Sequence, residues 1–370
     1  MENLDKEFKK LVKQTKQRRR WVGVGISLLA TGVVVMGAVF ARNIYVKQAL
    51  EQEAVKANIA YETQNPNVIT NVTGQTLGFL GGSYTTENYK NVDGYLVPIG
   101  GNTVSYGQML GEKRNTYTGT MWLSSSVNAS IGTGVSIMNG QKQPSFYSPT
   151  AENNYMLNGG KGAPQELRTL IKLPNHLAEV AITFDKPYTY KEIQRMIPQN
   201  LLINWCLLAT DDKTANIGSS NLYIGLSTNV DNYSKGEPSY DEATGKLDSQ
   251  DERKILGATT TNTIYGLDDK LYGDFVAAIK KANTISDFTA LGFGSGVGAD
   301  DGKIKITTFY PYRDALKQVK QHPTLATAKF AGVILTGRTE NFAQLSEKSW
   351  IYASSVGATT EVLPYLEPIT

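Results

Sequence analysis

The sequence contains few of the side chains on which enzyme and metal chemistry usually depends. Among its 370 residues there are one cysteine and two histidines. A single cysteine excludes an intramolecular disulfide, and no Cys/His cluster has the spacing of a zinc site. Cys206, flanked by apolar residues, is predicted to be a small buried hydrophobe. His176 and His322 lie close to prolines, which places them in loops or at helix ends. We therefore expect no catalytic residue, no bound metal and no cofactor.

Three patterns resemble ligand-binding or catalytic motifs, but each lacks a required feature or has a structural explanation. The Gly-rich run at residues 292–298 lacks the spacing of a nucleotide-binding fingerprint and is predicted to be a loop. Residues 300–302 (DDG) offer too few oxygen ligands for a calcium loop. A pair of glycosidase carboxylates could be drawn from Glu179, Asp185 and Glu192. However, Asp185 is better explained as a turn residue and Glu192 as a helix cap, so the sequence favours a protein that is not an enzyme.

Excess charge is confined to the N-terminus. The formal net charge is +3, but residues 1–20 carry eight Lys/Arg and three Asp/Glu, which leaves 29 basic and 31 acidic side chains in the rest. Binding to nucleic acid requires a broad positive surface. We therefore do not expect a nucleic-acid partner.

One long apolar run is present, at residues 21–41. It has no charged residue and would span about 31 Å as a helix, close to the roughly 30 Å of a bilayer core. It is longer than the 7–15 apolar residues typical of a cleaved signal peptide, so we predict an uncleaved transmembrane helix. The excess of basic residues before it predicts a cytoplasmic N-terminus and an extracytoplasmic C-terminal domain. Three of these residues directly precede the run: Arg18, Arg19 and Arg20.

Small residues recur on one face of this run. Gly23, Ser27 and Thr31 are spaced four residues apart. Small side chains at this spacing allow two membrane helices to approach closely. The pattern predicts a face for a membrane homodimer.

The 20 residues before the run form a basic tail with an apolar stripe. Leu4, Phe8, Leu11 and Val12 have the spacing of one helical face. One interpretation, which the basic composition favours, is a helix lying on anionic lipid headgroups. The other is a helix that docks its stripe into a partner's groove. Both interpretations stay open.

Three further regions follow the run. Residues 42–60 are predicted to form a helical stalk. Residues 61–165 are rich in Gly, Asn, Thr, Ser and Tyr with recurring turn signals, which indicates short strands and long loops. Residues 166–370 combine helical and strand patterns and are predicted to form a mixed α/β domain. Within them, residues 231–254 are polar enough to be an exposed insertion.

The mixed domain has clear local signals. Residues 177–184 alternate as a strand, which Asp185 to Pro187 should end. Thr189 and Glu192 then form a capping box for a helix through Ile197. The remaining predicted elements are strands at 201–208, 329–335 and 350–354 and helices at about 270–283, 312–321 and 339–346.

The same residues carry a resemblance to a known family. Residues 178–189 (AEVAITFDKPYT), continuing through 197–205, resemble the C-terminal domain of sigma factor regulators, membrane proteins of Gram-positive bacteria. Residues 330–337 (FAGVILTG) and 353–357 (ASSVG) are similar to the end of that domain. The opening residues 8–11 (FKKL), followed by a basic run and one span, are similar to the family's N-terminal module.

The resemblance implies a transmembrane anti-sigma factor or a close relative of one. Its cytoplasmic tail would bind an extracytoplasmic-function sigma factor, and its outer domain would respond to envelope conditions or to a partner protein, with the extracytoplasmic ligand unidentified. The tail has no zinc-type anti-sigma motif, so sigma binding would rest on the four stripe residues, and the tail could act instead through a second membrane protein. Two alternatives remain: an anchored binding or scaffold module that contacts no sigma factor, and an envelope enzyme.

Overall fold

The structure is a computed structural model that describes residues 2–64, 66–108, 137–147, 149, 163–210, 223–228, 266–290, 293–300 and 303–363. The chain divides into two compact units. The first contains Met1–Ala54, Gln75–Ser83 and Ser105–Lys113, and the second contains the remaining residues. The predicted insertion at residues 231–254 lies outside the described residues.

A single helix, α1, runs from Glu2 to Gln64 and is about 95 Å long at 1.5 Å per residue. The tail, the apolar run and the stalk are therefore parts of one continuous helix. Helices end at or before the residue preceding a proline, and α1 ends two residues before Pro66. Among the described residues, α1 alone is long and apolar enough to cross a membrane, and none of its most apolar window is buried. This is consistent with a single-pass membrane protein.

Three strands follow α1 and form one sheet in the order β1-β2-β3. Their bounds are Val68–Leu77, Gly81–Val92 and Tyr95–Gly107. Asp93 and Gly94 join β2 to β3 with φ values of 54° and 87°. Two positive φ values match the tight hairpin turn that Asp-Gly favours, so the turn signal at this position is confirmed.

The second unit is built around a five-stranded antiparallel sheet in the order β12-β6-β11-β7-β8. The predicted mixture of helices and strands is confirmed. Two short strands, β4 (Ile137–Met138) and β5 (Gln141–Lys142), pair with each other. The sheet strands are β6 (His176–Tyr188), β7 (Leu202–Leu208), β8 (Gly225–Ser227), β11 (Phe330–Arg338) and β12 (Ile351–Glu361).

Helices cover this sheet. They are α2 (Leu167–Leu170), α3 (Tyr190–Met196), α4 (Asp269–Ala282), α5 (Ser286–Thr289), α6 (Pro311–Gln321) and a 3-10 helix (Thr339–Leu345). The two longest of these helices bury apolar faces against the core. Helix α4 buries Tyr272, Phe275 and Ile279, and α6 buries Tyr312 and Val319. These side chains pack with residues from alternate positions of β6 in the main hydrophobic core.

The opposite face of the sheet is also buried. Ala181 of β6 and Ile334 of β11 pack there with Phe146, Trp205 and Tyr223. The ring centroids of Phe146 and Tyr223 are 5.0 Å apart in an edge-to-face arrangement. Because both faces are covered, β6 is buried along most of its length. A strand buried on both faces shows little apolar–polar alternation.

The capping box of α3 is confirmed. The Thr189 hydroxyl accepts a hydrogen bond from the Glu192 backbone N–H, and the Thr189 N–H donates to the Glu192 carboxylate. The Thr189 hydroxyl also donates to the Glu192 carboxylate, and this bond and the one from the Thr189 N–H favour the charged form and lower the pKa of Glu192. A capping box can be predicted from the sequence because its two partners lie only three residues apart.

Two strands, β6 and β12, extend beyond their predicted C-terminal ends. Asp185 to Pro187 do not end β6, which continues to Tyr188. The register with β11 shifts between Phe330 and Gly332, so Pro187 lies in a bulged stretch, where the ladder does not need its missing N–H. The last strand, β12, runs to Glu361 instead of ending at Ser354.

The Gly-rich run was predicted to be a loop, and that prediction is wrong as well. Residues Phe293–Asp300 form β9, which pairs with the antiparallel strand β10 (Lys303–Phe309). The ladder pairs the backbone N–H and C=O groups that each strand directs toward the other. Glycine lowers the propensity for a strand but does not prevent pairing with a neighbour.

Candidate functional site

The apolar stripe of the tail lies exposed on α1. Leu4, Phe8, Leu11 and Val12 are 76%, 67%, 61% and 50% exposed. Their helical spacing places them on one face, surrounded by lysines on the others. A contiguous exposed apolar surface of this kind marks a contact with lipid or with another protein. Its role stays a prediction.

The small residues of the apolar run are exposed too. A Cβ added at Gly23 would meet no atom within 4 Å. The Thr31 hydroxyl donates to the Ser27 carbonyl at 2.9 Å, so the helix itself satisfies this polar group. Such a face can accept a second helix. The membrane dimer stays a prediction, as does the topological role of Arg18, Arg19 and Arg20.

The C-terminal end of α1 is part of the core of the second unit. Ile59 and Ala60 are buried in the main hydrophobic cluster. The Thr63 hydroxyl donates to the Ile59 carbonyl and shares a 2.7 Å hydrogen bond with the Tyr312 hydroxyl of α6. About two turns before Thr63, Lys56 forms a 2.7 Å ion pair with Asp287 of α5. The last turns of the predicted stalk are thus embedded among helices of the C-terminal region.

The segment directly after α1 contacts a buried ion pair. The Lys90 ammonium of β2 lies 3.0 Å from Oε1 of Glu179 in β6, and the two side chains are 1% and 0% exposed. Lys90 also donates to the Pro66 carbonyl at 2.6 Å. Removing two charges from water costs several kcal/mol per ion, which only good geometry and further hydrogen bonds offset.

Those further hydrogen bonds are present around Glu179. Its Oε1 accepts a bond from the Asn67 amide at 2.9 Å, and its Oε2 accepts one from the Ala358 N–H of β12 at 3.2 Å. A Cβ at Gly357 would collide with Oε2. A glycine at this position therefore permits the close approach of β12 to the carboxylate.

Asparagine amides extend the network across the sheet. The Asn204 amide of β7 donates to Oδ1 of Asn67 at 3.0 Å and to the Asn91 carbonyl at 2.9 Å. Its own Oδ1 accepts from the Thr336 hydroxyl of β11 at 3.2 Å. We call this group the Lys90–Glu179 cluster; it contains Asn67, Lys90, Asn91, Glu179, Asn204 and Thr336. The cluster joins the segment after α1, and β2, to four strands of the main sheet.

No sequence pattern predicted this cluster. Two of its members interrupt very apolar strands, Glu179 beside Val180 and Asn204 beside Trp205. A polar residue within a buried strand needs a partner, and this signal could have been used. Its partners were not readable, because Lys90 and Asn67 lie 89 and 112 residues from Glu179.

His176 and Asp185, which were considered for catalysis, have other partners for their side chains, and His322 accepts a hydrogen bond at its backbone carbonyl. His176 Nδ1 lies 2.7 Å from the Pro174 carbonyl, and the Asp185 carboxylate accepts a bond from the Tyr188 hydroxyl. The His322 carbonyl accepts from the Tyr272 hydroxyl. Cys206 is buried, as predicted, and burial raises the pKa of its thiol. Within the described part of the chain, no three His, Cys, Asp or Glu side chains form a group that could hold a metal ion.

Comparison with known proteins supports one assignment. The family model described as sigma factor regulator C-terminal matches residues 170–358, about half of the chain. Comparisons with curated proteins and with solved structures gave no match. The matched segment contains four strands of the five-stranded sheet in full and β12 as far as Ala358, and it includes three members of the Lys90–Glu179 cluster. The chain belongs to the sigma factor regulator family.

Proposed function

We propose that this protein is a membrane-bound anti-sigma factor. The stripe of Leu4, Phe8, Leu11 and Val12 binds an extracytoplasmic-function sigma factor on the cytoplasmic side. The C-terminal domain lies on the other side of the membrane and responds to an envelope signal. No catalytic step is part of this function, and membership in a regulator family supports that view.

The observation that carries the proposal is the arrangement of α1. One helix exposes an apolar stripe at its start and buries Ile59 and Ala60 within the family domain at its end. The apolar run at residues 21–41 lies between them. Arg18, Arg19 and Arg20 support the proposed orientation, because basic residues accumulate on the cytoplasmic side of a span.

A short stripe limits the affinity. Four apolar side chains contribute about 1.5–3 kcal/mol each on burial, before the cost of association and side-chain ordering. This predicts modest binding for the tail alone. Confinement at the membrane, or a dimer formed through Gly23, Ser27 and Thr31, raises the effective concentration and hence the apparent affinity.

The Lys90–Glu179 cluster offers a route for the signal. It holds the segment after α1 against β6, β7, β11 and β12. A ligand that favours a second arrangement of the sheet would change the surroundings of the last turn of α1. Such a shift requires a ligand with different affinities for the two arrangements.

Co-purification of the full-length protein from its host tests the sigma contact. We expect a sigma factor to accompany the wild-type chain and to be lost from the Leu4→Asp/Phe8→Asp variant, because each change puts a charge into the apolar interface. The matched control is Gln14→Asp/Gln17→Asp. It adds the same charge to the same helix, away from the centre of the stripe, and should retain the sigma factor.

Two other results would contradict the proposal. If no sigma factor accompanies either the wild type or the control, the protein is an anchored binding or scaffold module. If the control loses the sigma factor together with the stripe variant, the tail acts through its charge, as expected for lipid binding, and not through its apolar face.

A further inference from the structure

A turn in the first unit exposes large apolar side chains. Residues 78–80 connect β1 to β2, and Phe79 and Leu80 at this turn are 77% and 37% exposed. The Gly78 N–H donates to the Gly81 carbonyl at 2.7 Å, which closes the turn. Turns are usually formed by Gly, Pro, Asn, Asp and Ser. A phenylalanine and a leucine here need an explanation other than turn geometry.

Arg42 of α1 holds this turn. Its Nε donates to the Phe79 carbonyl at 2.5 Å, and its Nη2 donates to the Gly78 carbonyl at 2.7 Å. The guanidinium carbon also lies 5.6 Å from the centroid of the Phe79 ring, within the range of a cation–π contact. Both hydrogen bonds reach backbone carbonyls, so the turn is tied to the helix whatever side chain occupies position 79.

The position of Arg42 along α1 indicates how deep the turn lies relative to the bilayer. It is the first charged residue after the apolar run at residues 21–41 and lies one residue, about 1.5 Å of helix, beyond it. Arginines at the end of a membrane helix place their guanidinium at the headgroup level. The turn bound to this guanidinium therefore lies at the headgroup level as well.

We propose that the turn at residues 78–80 is a second membrane contact, with Phe79 and Leu80 inserted at the boundary between headgroups and acyl chains. The partner is the same bilayer that α1 crosses, and the inference rests on that crossing. Apolar side chains of elements that lie at a membrane surface, Phe and Leu among them, are buried about 5–10 Å into this boundary, which removes them from water. The contact would fix the orientation of the hairpin against the bilayer and restrict rotation of α1.

Spin labelling of the full-length chain in lipid nanodiscs of phosphatidylcholine and phosphatidylglycerol tests this contact. Three single substitutions carry the label: Phe79→Cys at the turn, Phe40→Cys inside the apolar run and Gln52→Cys on α1. Position 52 lies about 15 Å beyond Arg42 and is exposed. Cys206 is buried, and labelling of the unsubstituted chain measures its background. The readout is the ratio of collision rates with oxygen and with a water-soluble nickel complex, which rises with depth in lipid.

We expect the ratio at position 79 to be several-fold above that at position 52 and to approach that at position 40. Arg42→Gln in the chain labelled at position 79 should lower the ratio several-fold, because the guanidinium contacts are lost. A ratio at position 79 equal to that at position 52, with position 40 in lipid, overturns the inference. A low ratio at position 40 overturns the membrane crossing, and the inference with it. Low collision rates with both oxygen and the nickel complex at position 79 indicate burial against protein and also overturn it.

Discussion

Glu179→Gln is expected to lower the free energy of unfolding of the C-terminal domain by about 3–5 kcal/mol. The substitution keeps the size of the side chain but removes its charge. Lys90 is then a buried ammonium without a counter-ion, 1% exposed and held in place by the Pro66 carbonyl. An amide also has one acceptor oxygen where the carboxylate accepts hydrogen bonds from Lys90, Asn67 and Ala358.

Urea unfolding of the full chain in detergent micelles, followed by near-ultraviolet circular dichroism, measures this loss. Adding Lys90→Met to Glu179→Gln should recover about half of it or more, because the double variant contains no unpaired charge. The matched control is Glu51→Gln. It makes the same chemical change in the exposed pair with Lys47 and should cost less than about 1 kcal/mol. If Glu179→Gln costs no more than Glu51→Gln, the buried pair does not stabilise the domain.

High pH is expected to destabilise the C-terminal domain sharply between about pH 10 and about pH 12. Burial raises the pKa of Tyr272 from 10.0 to about 12. Burial likewise raises the pKa of Tyr147 to about 12, and the pKa values of Tyr223 and Tyr312 are raised in the same direction. In the unfolded chain these phenols ionise near pH 10, whereas in the folded domain they stay neutral.

The sign of the effect follows from that difference. Below pH 10 both states are protonated, and the stability is fully present. As the pH rises toward 12, only the unfolded state loses protons, so stability is lost progressively. For Tyr272 alone, a pKa shift of two units corresponds to about 2–3 kcal/mol at pH 12.

Tyr272→Phe isolates one of these contributions. The variant loses the hydrogen bond to the His322 carbonyl, which should cost about 1 kcal/mol near neutral pH. Its stability should nevertheless fall less steeply than that of the wild type above pH 10, because one ionising phenol is absent. If the free energy of unfolding falls equally steeply with pH in the two proteins, the pKa of Tyr272 is not raised in the folded domain.

Local patterns predicted much of the C-terminal domain correctly. The capping box of α3, the amphipathic helices α4 and α6 and the apolar strand β7 all lie close to their predicted positions. These signals depend on residues three to eight positions apart, so the sequence alone contains them. The ends of β6 and β12 and the pairing of β9 with β10 depend on neighbouring strands, and there the predictions were wrong.

The candidate sites divide in the same way. The stripe at Leu4, Phe8, Leu11 and Val12 is visible in the sequence because helical spacing is a local property. The turn at residues 78–80 is not visible in the sequence, because it is held by Arg42. That residue lies 37 and 36 positions before Phe79 and Gly78. An exposed Phe-Leu pair in a loop-rich region has no distinguishing spacing.

By itself, the sequence determined the long apolar run, the basic tail before it, the Asp-Gly hairpin and the family resemblance at residues 178–205 and 330–357. Each depends on composition or on short spacing, which act through backbone geometry and solvation. Only the tertiary structure decided that α1 is continuous into the core and that Lys90 meets Glu179. A buried charge is tolerated only where the folded chain supplies its counter-ion and hydrogen bonds, and those partners are distant in sequence.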